Sequence, residues 1–441
     1  MEIFKKRRNL LLNQLNDGIA IIPSAEYKTR SHDTDYPFRQ DSNFKYLTGF
    51  LEPGSVLLLC KNHPDFKTIL FVRPKDQHAE IWSGRRLGVE TAQENLGVDK
   101  VHSILDLDKE LPGYLQNHKN VYLDIFGDSL FLKKIISKSK VLNEAKKIKK
   151  HSPQNFLHLG NFISKMRLIK ESWEIEQIKK AISISNLAHR AAMSLARPGI
   201  LEFEVAAAME YIFKKNGASH HAYESIVAGG DNANILHYTN NNEILKNGDL
   251  LLIDAGAEFN LYASDITRTF PVNKKFSGPQ KALYEIVLNA QKAVIENSLP
   301  GKTLTENHQV ALKILTQGLI DLKILKGGLD ENLEKGNYKA YYPHGTGHWL
   351  GLDVHDHNPY LEEDLSEMKF RPGMVFTVEP GLYLGLNDRS IPPEFQGIGI
   401  RIEDDILITD KGNINLSREI PKEIKDVEEA CHRPFDLHGT K

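Results

Sequence analysis

The segment DLLLIDAGAEFNLYASDITRTF (249–270) reads as a β-hairpin that turns near Phe259–Asn260 and carries an aspartate on each arm. With a two-residue turn there, Asp254 stands directly opposite Asp265, and opposed residues share a sheet face with Cβ atoms about 4.5–5.5 Å apart. Two ionised aspartates that close beside an apolar strand repel, so either one keeps a proton or a cation sits between them. A bulge or a longer loop would separate them, so the hairpin register decides how close they come.

Further groups of the same kind follow. Glu379 ends an apolar strand in FTVEPG, just before Pro380. In GIGIRIEDDILI the period of two sets Ile398, Ile400 and Ile402 on one face, with Arg401 and Glu403 on the other. A glutamate and an arginine facing inward from such a strand need partners. His348 lies in PHGTGHWLG, too broken by glycine to be a helix, so His344 and His348 are not a helical metal-binding pair. Taken singly, these residues have plainer readings: Asp254 as a turn or cap, His348 as a satisfied, partly buried histidine, Glu379 as a loop residue. Together, four carboxylates and one imidazole from separate apolar segments suit two adjacent divalent metal ions, which suggests a hydrolase. GTGHWLG also resembles a dinucleotide loop, but its spacing is G-x-G-x-x-x-G and no apolar strand leads directly into it.

The chain has 441 residues, enough for two or three domains with buried cores. Its 56 Lys and Arg against 58 Asp and Glu leave a net charge of -2, which argues against a nucleic-acid or membrane-surface binder. The two cysteines, Cys60 and Cys431, form no CxxC pair, which disfavours a disulfide framework or a thiolate zinc site. The basic N-terminus is interrupted by Asn13, Gln14 and Asn16 after three leucines, too soon for a signal peptide, and no run of about 18 apolar residues occurs. The expected compartment is the cytoplasm.

In the first part of the chain, strand-like runs at 18–23, 55–60, 68–72 and 120–125 alternate with helix-compatible segments at 105–116 and 130–142, indicating an α/β domain. The basic cluster EAKKIKKHS (144–152) reads as a surface helix end. Helical periodicity then marks 170–196, 202–217, 280–301 and 308–322. Strands are expected at 250–254, 262–272, 374–379 and 398–408. The order helices, strands, helices, strands suggests two similar halves, and the domain boundary falls near 165–172.

The stretches ILHYTNN, LLLIDAGAEFNLYASDITRTFPV, HGTGHWLGLDVHDH, GMVFTVEPGLY and GIGIRIEDDILIT closely resemble those of the Xaa-Pro aminopeptidase (aminopeptidase P) family of pita-bread metallopeptidases. The likeness covers most of 165–425 and reaches the N-terminal part through DYPFRQDSNFKYLTGF and IWSGRRLG. It implies an α/β N-terminal domain over 1–168, then an α+β pita-bread catalytic domain with two related halves over 169–441. It also implies that Asp254 chelates one metal, that His348 and Glu379 sit on or beside the other, and that Asp265 and Glu403 bridge both.

By the same resemblance, His237, His355 and Arg401 surround the metal centre and share the catalytic work with Glu379. Substrate contacts are expected from His237, His344, Tyr383 and Trp82. Trp82 matches an aromatic residue contributed by a neighbouring subunit, so a homo-oligomer, dimer or tetramer, is implied. The expected reaction removes the N-terminal residue from peptides with proline in the second position, through a hydroxide bridging two divalent ions, Mn²⁺ best suiting this oxygen-rich set. Prolidase, which cleaves Xaa-Pro dipeptides with the same ligand set, is the alternative reading. Thr346 and Gly347 before His348, and the His220–His221 pair, depart from the family pattern without removing a ligand.

Overall fold

Residues 1–144 and 151–435 are described by a computed structural model, in which the chain divides into two units, Met1–Met166 and Arg167–Lys441. The basic cluster at 144–152 falls for the most part outside the described residues.

In the first unit the apolar runs become the centre of a six-stranded mixed sheet. Its order is Lys100–Ser103, Thr68–Val72, Val56–Cys60, Gly18–Pro23, Asn120–Leu123 and Asn155–His158. The central Gly18–Pro23, Val56–Cys60 and Thr68–Val72 strands run antiparallel to their neighbours among themselves, and the outer strands add in parallel. Lys100–Ser103 and Asn155–His158 escape the sequence reading because they are short, mixed in polarity and only partly buried, as edge strands are. The basic start of the chain is structural: in helix Glu2–Gln14, buried Arg7 and Arg8 donate to the carbonyls of Tyr46 and Leu47 at 3.2 and 2.9 Å. Those carbonyls lie in the last turn of helix Ser42–Thr48, the end of a helix that favours cations.

The second unit repeats one pattern. Helices Ser172–Leu195 and Glu202–Lys215 precede the antiparallel sheet Ile226–Gly229, Leu250–Asp254, Thr267–Pro271. Helices Gly278–Asn297 and Leu304–Asp321 precede the antiparallel sheet Val375–Val378, Asp404–Thr409, Gly412–Asn415. The later pair of helices start on capping boxes, Ser277 with Gln280 and Thr303 with Glu306. This two-halved arrangement on one continuous core is the expected pita-bread architecture. The halves meet along a seam where Glu403 N–H donates to the Thr267 carbonyl (3.1 Å) and Thr269 Oγ1 donates to the Arg401 carbonyl (2.9 Å).

The hairpin register differs from the sequence expectation. Asn260 and Leu261 both have positive φ, 51° and 68°, so the turn sits one residue later than Phe259–Asn260. A tight turn of this hand needs two left-handed residues, a conformation asparagine tolerates better than most. Phe259 therefore pairs with Tyr262, and Asp254 lies opposite Thr267 rather than Asp265. Because the register shifts by two residues, the pleat keeps its parity.

A buried ionic node holds the entry of this unit. Asp356 accepts from Arg167 Nη2 (2.5 Å), Lys170 Nζ (3.0 Å) and Asn358 Nδ2 (2.6 Å), all with almost no exposure. Burial alone would raise the Asp356 carboxyl, but the two cations outweigh it and hold the group far below the usual carboxylate range. A depressed folded pKa contributes stability that is fully present above the unfolded value, near 3.9, and lost as pH falls through the folded one. Asp356→Ala should destabilise the protein by about 3–5 kcal/mol at pH 7, because it leaves Lys170 buried without its carboxylate. Denaturant unfolding followed by circular dichroism should show this gap at neutral pH, narrowing only below about pH 4.

Candidate metal centre

At the seam the polar side chains of both halves converge. Asp254 ends its strand, and Asp265 lies in the interruption between the Tyr262–Ala263 and Thr267–Pro271 strands. Glu379 stands between strands Val375–Val378 and Gly381–Leu384, and Glu403 between Ile398–Arg401 and Asp404–Thr409. His348 arrives on the glycine-rich loop, its N–H donating to Thr377 Oγ1 at 3.2 Å. The ligand atoms of Asp265, His348 and Glu403 all lie within 4.8 Å of one another, and His348 Nε2 stands 3.2 Å from Asp265 Oδ2 and 3.8 Å from Glu379 Oε1. His348 Nδ1 donates to its neighbour's carbonyl, Trp349 O, at 3.1 Å, which turns Nε2 toward the acids.

The electrostatics fit a cation. Burial, followed by the charges of Asp265, Glu379 and Asp254, pushes Glu403 well above the ordinary glutamate value. Burial, only partly offset by His348 and Arg401, pushes Glu379 up to about 7. Asp254 is also raised by burial, against the pull of Arg401, and feels the charge of Asp265 despite the shifted register. At His348 burial works the other way but is outweighed by Asp265 and Glu379, so the imidazole rises to about 9. Proton sharing among these groups does what bound positive charge does better: it relieves like charges held out of water. The donor set of oxygens plus one imidazole is one that divalent ions accept.

The other expected residues fall around this cluster. Arg401 donates to Asp254 Oδ2 (2.6 Å) and to Tyr383 Oη (2.9 Å), and the Tyr383 hydroxyl donates to His344 Nε2 at 2.7 Å. His344, whose Nδ1 donates to Gly345 O, is driven down to about 4 by burial and Arg401, so it accepts rather than carries charge. The His355 ring stands edge-on to His348 with centroids 4.3 Å apart, and burial, then the His348 charge, lowers its pKa. His237 is exposed, and its charge is felt at both His344 and His355. Trp82 belongs to the first unit, on helix Gln77–Ser83, where it is 81% exposed.

Several contributors escaped the sequence reading. Tyr223 donates to Asp254 Oδ1 at 2.6 Å, and Thr267 donates to Glu403 Oε2 at 2.8 Å while accepting from Arg401 Nε. Buried Asp405 accepts from the Asp265 N–H at 3.2 Å. The third acid of EDD in an otherwise apolar strand was the available signal for Asp405. Tyr223 sat next to the His220–His221 pair, which instead forms a short strand beside Ala257–Glu258.

Against known proteins, residues 176–410 match Metallopeptidase family M24 and residues 4–122 match the aminopeptidase P N-terminal domain. The chain belongs to the M24 metallopeptidase family. It is 44% identical to the Xaa-Pro aminopeptidase of Haemophilus influenzae, over 97% of this chain and 96% of that protein. Against the Escherichia coli Xaa-Pro aminopeptidase the identity is 40%, over 96% of each chain. Among solved structures, the Pseudomonas aeruginosa aminopeptidase superposes with a TM-score of 0.95 at 39% identity, covering 97% of both chains. An Escherichia coli aminopeptidase P variant in complex with substrate gives 0.94 at 38% identity, covering 98% of both.

The glycine before His348 has a steric reason. A Cβ on Gly347 would stand 1.9 Å from the Thr377 carbonyl oxygen, so the loop carrying the imidazole must move if any side chain is added. Gly347→Ala should cost about 1–3 kcal/mol of stability and sharply reduce bound divalent metal, measured by elemental mass spectrometry on the purified protein.

Proposed function

We propose that this chain removes the N-terminal residue from peptides whose second residue is proline, using divalent metal held by Asp254, Asp265, His348, Glu379 and Glu403. The observation that carries this reading is the meeting of four largely buried acids and one imidazole at the seam, in a chain of this family. Four ionised carboxylates balance two divalent cations, and the preponderance of oxygen donors favours Mn²⁺. In this reading residues 169–441 form the catalytic domain and 1–168 the aminopeptidase-P-type N-terminal domain.

Ions held there would lower the pKa of a bound water and polarise the scissile carbonyl. Cleavage expels the secondary amine of proline, a poor leaving group until it is protonated. Glu379, beside the place the attacking water would occupy, takes a proton from that water and delivers it to the departing nitrogen. His355, whose charged form burial disfavours, donates a hydrogen bond to the oxygen that becomes negative, a contribution of about 2.7–4 kcal/mol in comparable sites. Arg401 fixes Asp254 and, through Tyr383, the orientation of His344. His237, His344 and Tyr383 line the approach and orient the peptide. The exposed Trp82, with exposed Ile81 beside it, supports a homo-oligomer in which a neighbouring subunit receives that side chain. Free, buried Cys60 and Cys431 suit the reducing cytoplasm, and no helix among the described residues is long and apolar enough to cross a membrane.

Arg-Pro-Pro and Gly-Pro, incubated with Mn²⁺-loaded protein, test the substrate class. Release of free arginine from the tripeptide is expected, whereas a strict prolidase leaves the tripeptide intact and splits only the dipeptide. Glu379→Ala, with metal restored and its content verified, should lose about 10²–10⁴-fold in kcat. Turnover within about threefold of the parent would remove Glu379 from the proton transfer.

A further inference from the structure

The hairpin that carries Asp254 and Asp265 is broken in the middle. Leu250–Asp254 pairs with Thr267–Pro271, and Ala257–Phe259 pairs with Tyr262–Ala263, but Ala255–Gly256 and Ser264–Ile266 belong to neither ladder. Two backbone bonds cross the break, Ala255 N–H to Ile266 O (3.1 Å) and Ser264 N–H to Ala257 O (3.1 Å). The strands come so close that a Cβ on Gly256 would lie 1.8 Å from Ser264 O. A metal centre whose acids flank such a break inherits its geometry from whatever holds the break in shape.

That support comes from helix Ser172–Leu195, which packs on the Ala257–Phe259 and Tyr262–Ala263 strands. Ser185 and His189, one turn apart on the same helix face, are both completely buried. The Ala257 N–H donates to Ser185 Oγ at 2.9 Å and is shared with Ser264 Oγ, which itself lies 2.9 Å from Ser185 Oγ. His189 Nε2 donates to Ala255 O at 3.0 Å, on the residue directly after Asp254. Because a carbonyl can only accept, the proton of this imidazole sits on Nε2; the Ile266 backbone also lies against the ring, without meeting hydrogen-bond geometry at Nδ1. Burial drives the group down to about 4, so it stays neutral and holds that single donor at physiological pH.

We propose that His189, assisted by Ser185, is a positioning residue for the metal centre: its hydrogen bond to Ala255 O sets the broken ladder so that Asp254 and Asp265 address the same ions. A buried histidine with one nitrogen unpartnered is a poor way to fill apolar space, because an unsatisfied polar atom is costly where a leucine would have none. Its placement is explained by the bond it makes. Orienting groups behind metal ligands typically change affinity about 10- to 100-fold when removed. The inference rests on the reading of Asp254 and Asp265 as ligands.

The test is calorimetric titration of Mn²⁺ into full-length protein stripped with a chelator, with the visible spectrum of the Co²⁺-loaded form as a second readout of ligand geometry. His189→Leu, folded by circular dichroism, should bind Mn²⁺ about 10- to 100-fold more weakly with altered Co²⁺ bands. His189→Gln, whose amide N–H can reach the same carbonyl, should stay within about threefold of the parent. A folded His189→Leu with parental affinity and spectrum overturns the proposal, as does a His189→Gln weakened as much as the leucine variant. Should His189→Leu fail to fold, Ser185→Ala decides: about a fivefold loss is expected, and unchanged affinity overturns the role of the helix. Asp265→Ala in the same titration separates the two levels, since retention of metal there means that the ligand reading has failed rather than the support behind it.

Discussion

Carboxylates largely withdrawn from water repel one another, and the seam of the second unit gathers Asp254, Asp265, Glu379 and Glu403 near His348. Each is carried by a segment that packing alone would place there: strand ends and strand interruptions of two sheets with apolar faces. Folding therefore forces together charges that would otherwise avoid each other, and burial together with the neighbouring acids raises the carboxyls of Glu403 and Glu379. The surrounding polar groups then follow as responses to that charge. Arg401, Tyr223 and Thr267 each donate to one of the acids, and the Asp265 N–H is anchored by Asp405. Without concentrated negative charge at the seam, a buried arginine such as Arg401 would have no place in the core.

The repeated architecture explains how one seam can collect acids and an imidazole from distant parts of the chain. Each half offers a pair of helices and a three-stranded antiparallel sheet, and the first half's strand Thr267–Pro271 meets the second half through contacts of Thr267 and Thr269 with Glu403 and Arg401. Two acids come from the first half, and two acids and the histidine from the second. Neither half alone carries all five groups, so the cluster exists only when the two halves are packed together.

Much of this was legible in the sequence, for identifiable reasons. Asp254, Asp265, Glu379 and Glu403 stand out because acids within runs such as LLLID and IRIEDD contradict the apolar pattern around them. His348 was legible only through its glycine-rich context. The long helices are readable from their period, although it sets three starts two to four residues off: 170 for Ser172, 308 for Leu304 and 280 for Gly278. The capping sequence Thr303-Leu304-Thr305-Glu306 contained the second of those starts. What could not be read was geometry set by single dihedrals and by tertiary contacts. The turn at Asn260–Leu261 lacks the glycine that usually announces it, so the pairing slipped by two residues. The parity of a pleated strand made that error harmless to the chemistry, since a slip of one residue would have sent Asp265 to the opposite face.

The groups that escaped the reading have one thing in common. Tyr223, Asp405, Ser185, His189 and the Arg167–Lys170–Asp356 node are polar residues in otherwise ordinary helical, strand or loop surroundings, and each acquires meaning only from a partner far away in sequence. Ser185 and His189 sit in a helix whose apolar period is intact without them, so periodicity gives no warning that its buried face carries donors. The clustered acids violate the hydrophobic pattern and are therefore visible. Their supports satisfy backbone groups that the ladder has abandoned, and that need arises only once the strand is broken. A site of this kind is half written in composition and spacing, and half in where the main chain runs out of partners.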